Sequence, residues 1–97
     1  MAFEPSSSVT VSEASACVCG KVATVTIRLD VKSSLTGNVT LGTVPDEIRP
    51  CFIVPLPSYG KDTYLPYIEN SGTVKANISG TISSGYMYFG GSYLLAQ

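Results

Sequence analysis

Between residues 22 and 32 apolar and polar side chains alternate without a break. Ala23, Val25, Ile27, Leu29 and Val31 fall in one register, and Thr24, Thr26, Arg28, Asp30 and Lys32 in the other. A period of two places the two sets on opposite faces of a pleated strand. The apolar set, rich in β-branched residues that fit a pleat, must then be buried against a second layer, while hydroxyls and mixed charges face water. No window longer than about one turn carries the i, i+3, i+4 spacing of an amphipathic helix.

The rest of the chain repeats this pattern in shorter pieces. Val39 and Leu41 alternate between Gly37 and Gly42. Residues 64–69 and 73–78 flank Asn70-Ser71-Gly72, a turn tripeptide whose glycine accepts positive φ, which predicts a hairpin. Residues 85–89 and 92–95 read as two short strands separated by Gly90-Gly91. Pro55 and Pro57 both lack an N–H on the same side of their segment, and Pro66 follows in the next strand, so this region is expected at a sheet edge. Residues 1–15, rich in serine, read as a flexible N-terminal tail or junction with at most a short strand near Val9 and Val11. The expected class is all-β: a small antiparallel β-sandwich or jelly-roll-like head domain over residues 16–97.

Composition narrows the chemistry. The 97 residues allow one domain. Charged residues make up 13% of the chain, about half the ~25% of an average soluble domain, so the 13 serines and 9 threonines carry much of the polar surface. A scarcity of charge also suggests that self-association hides apolar surface. Six dispersed cations against seven anions cannot neutralise a run of phosphates, which argues against nucleic acid and charged membranes as partners. No histidine is present to serve as a general base or metal ligand. Seven scattered acids single out no facing carboxylate pair of the kind glycoside hydrolysis needs. The expectation is a non-enzyme with no metal and no cofactor. Cys17, Cys19 and Cys51 match neither a disulfide framework nor a CxxC site and are expected as reduced, partly buried thiols. The first residues lack the basic and apolar regions of a secretory signal, and no apolar run approaches the ~20 residues of a membrane helix, so cytoplasmic synthesis without membrane insertion is expected. Asn38-Val39-Thr40 and Asn77-Ile78-Ser79 match the glycosylation pattern, by chance in a chain so rich in serine and threonine.

Several segments, taken in order, resemble the C-terminal head domain of bacteriophage tail-fibre, baseplate or receptor-binding proteins. They are Gly20-Lys21-Val22 leading the alternating strand, Leu41-Gly42-Thr43-Val44-Pro45 followed by Arg49-Pro50, Ser71-Gly72-Thr73-Val74, and the ending from Ser84-Gly85 through Phe89-Gly90-Gly91-Ser92-Tyr93-Leu94-Leu95. Glu47 departs from a glycine frequent in that family, and the stretch after Pro57 is not family-like. The resemblance implies a homotrimer at the tip of a virion tail that contacts a bacterial cell-surface saccharide or wall polymer. It leaves two other roles open: a purely structural trimerisation knob, and an accessory wall-binding module of a tail-associated lysin.

The residues best suited to such contact are tyrosines, which stack on sugar C–H faces and hydrogen-bond their rims. Tyr59, beside Gly60, Lys61 and Asp62 in a polar loop, is the first candidate, with Tyr64 and Tyr67 flanking it. Tyr64 and Tyr67 could equally pack or lie at an interface. Tyr86, Tyr88 and Tyr93 read as core or trimer-seam residues, and Pro45 to Pro50, with Asp46, Glu47 and Arg49, reads as scaffold.

Overall fold

The computed structural model describes residues 1–58 and 64–96. It is all-β, with eight strands in two antiparallel sheets: β1 (Glu4–Pro5), β2 (Val9–Cys19), β3 (Val22–Val31), β4 (Leu35–Thr43), β5 (Val54–Pro55), β6 (Tyr64–Ile68), β7 (Thr73–Ile82) and β8 (Tyr86–Leu94). The larger sheet runs β1-β4-β7-β6-β5 and the smaller β2-β3-β8. Leu41, Ile68, Val74 and Ala76 of the first and Val25, Ile27, Leu29, Met87 and Phe89 of the second join one buried cluster. The alternating strand behaves as its pattern dictates: every apolar residue from Ala23 to Leu29 is buried, and Val31 is partly so.

The β2–β3 turn is Gly20-Lys21, closed by the Cys19–Val22 pair. Gly20 has φ 63°, and among the described residues only glycines take positive φ, so the turn is of type II′, whose twist matches the flanking strands. The predicted β6–β7 hairpin also forms, with Gly72 at φ 95° and its N–H donating to the Glu69 carbonyl at 2.9 Å.

Two segments differ from their sequence reading. Residues 1–15 were expected as a tail, yet β1 and most of β2 lie there, and Phe3 and Val9 are buried in the core. Val9 and Val11 pair with Val31 and Leu29, and a bulge between Val11 and Glu13 then shifts the register. That extra residue breaks the period-two signal that would have revealed an eleven-residue strand. The second difference is β8, a single strand running through Gly90-Gly91 and paired with β3 from Tyr86 to Leu94. Here glycine allows a close backbone approach and ends nothing.

Proline blunts the larger sheet at both edges. β1 and β5 are two residues long and each ends in proline. Ser6 N–H donates to Leu41 O and Leu56 N–H to Pro66 O, so in each strand the preceding proline turns its missing donor outward. Pro66 lies one strand further in, on β6, with its backbone facing the short β5 side. The free side of β8 is covered by irregular chain: Gly90 N–H donates to Pro57 O at 3.1 Å, Cys51 N–H to Leu94 O at 3.0 Å, and Ala96 N–H to Arg49 O at 2.7 Å.

The Pro45–Pro50 segment ties the sheets together. Asp46–Ile48 is a 3-10 turn that buries Ile48 and leaves Asp46 and Glu47 in solvent, and Tyr93 Oη donates to Ile48 O at 2.7 Å. Burial pushes the Tyr93 phenol from its ordinary 10.0 up to about 12. A raised phenol keeps its full contribution to stability below pH 10 and loses it as pH climbs through about 12, because the unfolded chain ionises first. Denaturation midpoints should therefore fall in that window, and Tyr93→Phe should flatten the decline. An unchanged alkaline profile in the variant would remove Tyr93 as its source.

Cys17 and Cys19, expected to be partly buried, are exposed on the outward face of β2. Cys51 is half-buried, and its Sγ lies 2.6 Å from Leu95 O. Two thiols should accordingly react rapidly with a disulfide reagent and the third slowly. Three equal rates would contradict this placement.

Candidate functional site

Of the five residues singled out from the sequence, the two that the structure describes do not share a face. Tyr59, Lys61 and Asp62 lie outside the described residues. Tyr64 and Tyr67 are three apart on β6, and an odd separation places them on opposite faces of the strand. Tyr64 faces inward and is 1% exposed. Its Oη accepts the Tyr88 N–H at 3.1 Å, so a side chain supplies the partner that a neighbouring strand would have given β8 at that point. Burial is the main influence raising the Tyr64 phenol pKa, so the group remains a neutral hydroxyl. A ring with no free face cannot stack on a ligand, and Tyr64 acts as a packing residue.

Tyr67 faces outward. Its Oη accepts a hydrogen bond from Asn38 Nδ2 at 2.8 Å, reaching across β7 to β4, and Asn38 Nδ2 also donates to Asn77 Oδ1 at 2.7 Å. Asn38 and Asn77 are direct cross-strand partners, so the two glycosylation-like triplets bring their amides side by side. Exposed Leu65, next to Asn77, and the Lys75–Glu69 ion pair at 3.4 Å complete this flat polar face. The ion pair is partly exposed and contributes little to stability.

Two of the concave surfaces formed by the described residues reach positions 58 and 64. Ser58 and Tyr64, the described residues on either side of 59–63, each line one of them. Ser58 is bridged to Phe89 and, with Pro57, Thr24, Thr26, Tyr88 and the Gly90-Gly91 backbone, borders a groove of about 610 Å³. Tyr64 contributes to a cleft of about 530 Å³ with Ser79, Thr81, Ser83, Ser84 and Tyr86. Both volumes fall within the roughly 300–1,000 Å³ of small-molecule sites. Neither surface is lined by Asp, Glu, Lys or Arg among the described residues. Such linings can hydrogen-bond and stack. No group of three or more potential metal ligands occurs among the described residues.

The sequence reading did not include Ser79, Thr81, Ser83 and Ser84 and assigned Tyr86 to the core or a trimer seam. Tyr86 is 47% exposed in the single chain and so does not belong to its core, and the Arg28 guanidinium carbon lies 4.4 Å from its ring centre. The available signal was the run of hydroxyls and glycines from 79 to 85, too polar for a buried strand. Comparison with protein-family models and with curated proteins gives no match to this chain.

Proposed function

We propose that this chain is the host-recognition head of a phage tail-fibre or baseplate protein: a small β-sandwich that works as a homotrimer on the virion and binds bacterial surface glycans without covalent chemistry. The observation that carries this reading is the pairing of two uncharged, hydroxyl-bearing concavities with the roots of the Tyr59 loop, at Ser58 and Tyr64. Polyols are bound by hydroxyls, amides and aromatic faces; hydroxyls and aromatic rings border both concavities, and amides and a phenol form the Asn38–Asn77–Tyr67 face. The resemblance of the ordered segments to phage head domains points the same way.

Self-association is supported by surface that a monomer would leave open. The outer side of β2 pairs with no strand among the described residues, and unlike β1 and β5 this strand carries no proline. Beside its far end Val18, Val22 and Leu94 are 49%, 39% and 54% exposed. Three copies also fit weak individual sites, since avidity raises the strength of attachment by roughly 10²–10⁴ where geometry allows.

The test is adsorption to host cells or purified wall glycans. Tyr59→Ala should weaken binding by about tenfold per site while the assembly stays intact. Unchanged binding by an intact variant would exclude the loop. Failure of the unaltered chain to bind any bacterial envelope would overturn the recognition role and leave the structural knob.

A further inference from the structure

We infer that the cleft between the end of β7 and the start of β8 is a subsite for a neutral saccharide, with the Tyr86 ring as its stacking platform and the hydroxyls of Ser79, Thr81, Ser83 and Ser84 as its polar rim. The inference rests on the recognition reading above and gives it a second contact outside the predicted loop.

The backbone is bent to open this cleft. Thr36 pairs with Thr81 and Gly37 with Ile78, which leaves Ser79 and Gly80 without partners on β4: a two-residue bulge in β7. Gly37 and Gly80 accommodate it with φ of 69° and 82°, a region that side chains with a Cβ disfavour. Thr36 Oγ1 donates to Gly80 O at 2.9 Å and clamps the bend. Bulges re-aim side chains and recur beside functional sites. This one sits where Ser79 and Thr81 border the cleft.

The platform is held in place. The Arg28 guanidinium against the Tyr86 ring fixes the ring's orientation, so a sugar docking on it immobilises less side chain. Below it, Tyr64 is locked by its bond from Tyr88 N–H and closes the floor. Hydroxyls both donate and accept, matching the alternating donors and acceptors of a sugar rim. A phosphate or carboxylate would require a lining cation for a charge-assisted bond; the described lining supplies none, and the neighbouring Arg28 guanidinium is turned against the Tyr86 ring.

Backbone-amide NMR on the full chain tests this, using glucose, galactose, rhamnose and N-acetylglucosamine as neutral probes and glycerol phosphate as the anionic one. At least one neutral sugar should shift the amides of residues 79–86 saturably, and glycerol phosphate should not. Tyr86→Ala and, separately, the nearly isosteric Thr81→Val should each weaken that sugar by about tenfold or more while the rest of the spectrum is kept. A sugar that binds with shifts confined to other residues, or that binds both variants like the parent, overturns the cleft and leaves glycan recognition standing. Glycerol phosphate moving residues 79–86 overturns the neutral ligand class. If no sugar shifts these residues while host envelopes still retain the chain, the cleft assignment fails alone; if the envelopes are not bound either, the recognition reading fails with it.

Discussion

Replacing Gly90 with alanine is expected to destabilise the fold by about 3 kcal/mol or more, which for a domain of this size lowers Tm by more than about 10 °C. Gly90 sits mid-strand in β8, opposite Thr26. A methyl group added there would overlap the carbonyl oxygen of Val25 and lie 3.2 Å from the Thr26 Cα. Both obstacles are backbone, held by a ladder that pairs β3 with β8 over nine residues, so neither yields without loss of strand pairing. On its other side Gly90 N–H is bonded to Pro57 O, which prevents the strand from sliding away. Gly91→Ala is the control. There the methyl meets the Pro57 Cδ at 3.2 Å and the Leu56 Cδ2 at 3.4 Å, side-chain atoms with some freedom to move. Its cost should stay near or below about 1 kcal/mol. Thermal unfolding of both variants is the measurement; a Gly90→Ala protein that melts with the parent would show that β8 does not lie this close to β3.

Tyr64 gives the second large effect, in two graded steps. Tyr64→Phe keeps the ring and removes the hydroxyl that accepts the half-buried Tyr88 N–H, a cost of about 1 kcal/mol. Tyr64→Ala also removes one of the largest fully buried side chains and should cost about 3–5 kcal/mol, a large part of the 5–15 kcal/mol that holds a typical domain folded. Urea midpoints at constant slope measure both. If Tyr64 were instead a surface residue available to ligand, both substitutions would fall within about 0.5 kcal/mol of the parent.

The sequence was most legible where the period of two ran unbroken. The residues from Ala23 to Leu29, the Asn70-Ser71-Gly72 turn and the proline-marked edge all appear as their chemistry dictates. It was least legible where a local device interrupts the period. The bulge after Val11 hid β2, and the glycine pair inside β8 read as a break because its reason, the backbone of β3, is some 65 residues away in the chain. For the site, period-two arithmetic alone separates Tyr64 from Tyr67, since residues three apart on a strand cannot share a face. The cleft at 79–86 was beyond that reasoning, because it depends on how a bulge in β7 meets Tyr86 on the other sheet.

The central claim is that three copies of this chain assemble into a recognition head, each covering apolar surface that another leaves bare. Light scattering after size exclusion tests it most directly. The account predicts a particle of three 10.2 kDa chains at micromolar concentration; a stable particle with the mass of one chain would contradict it.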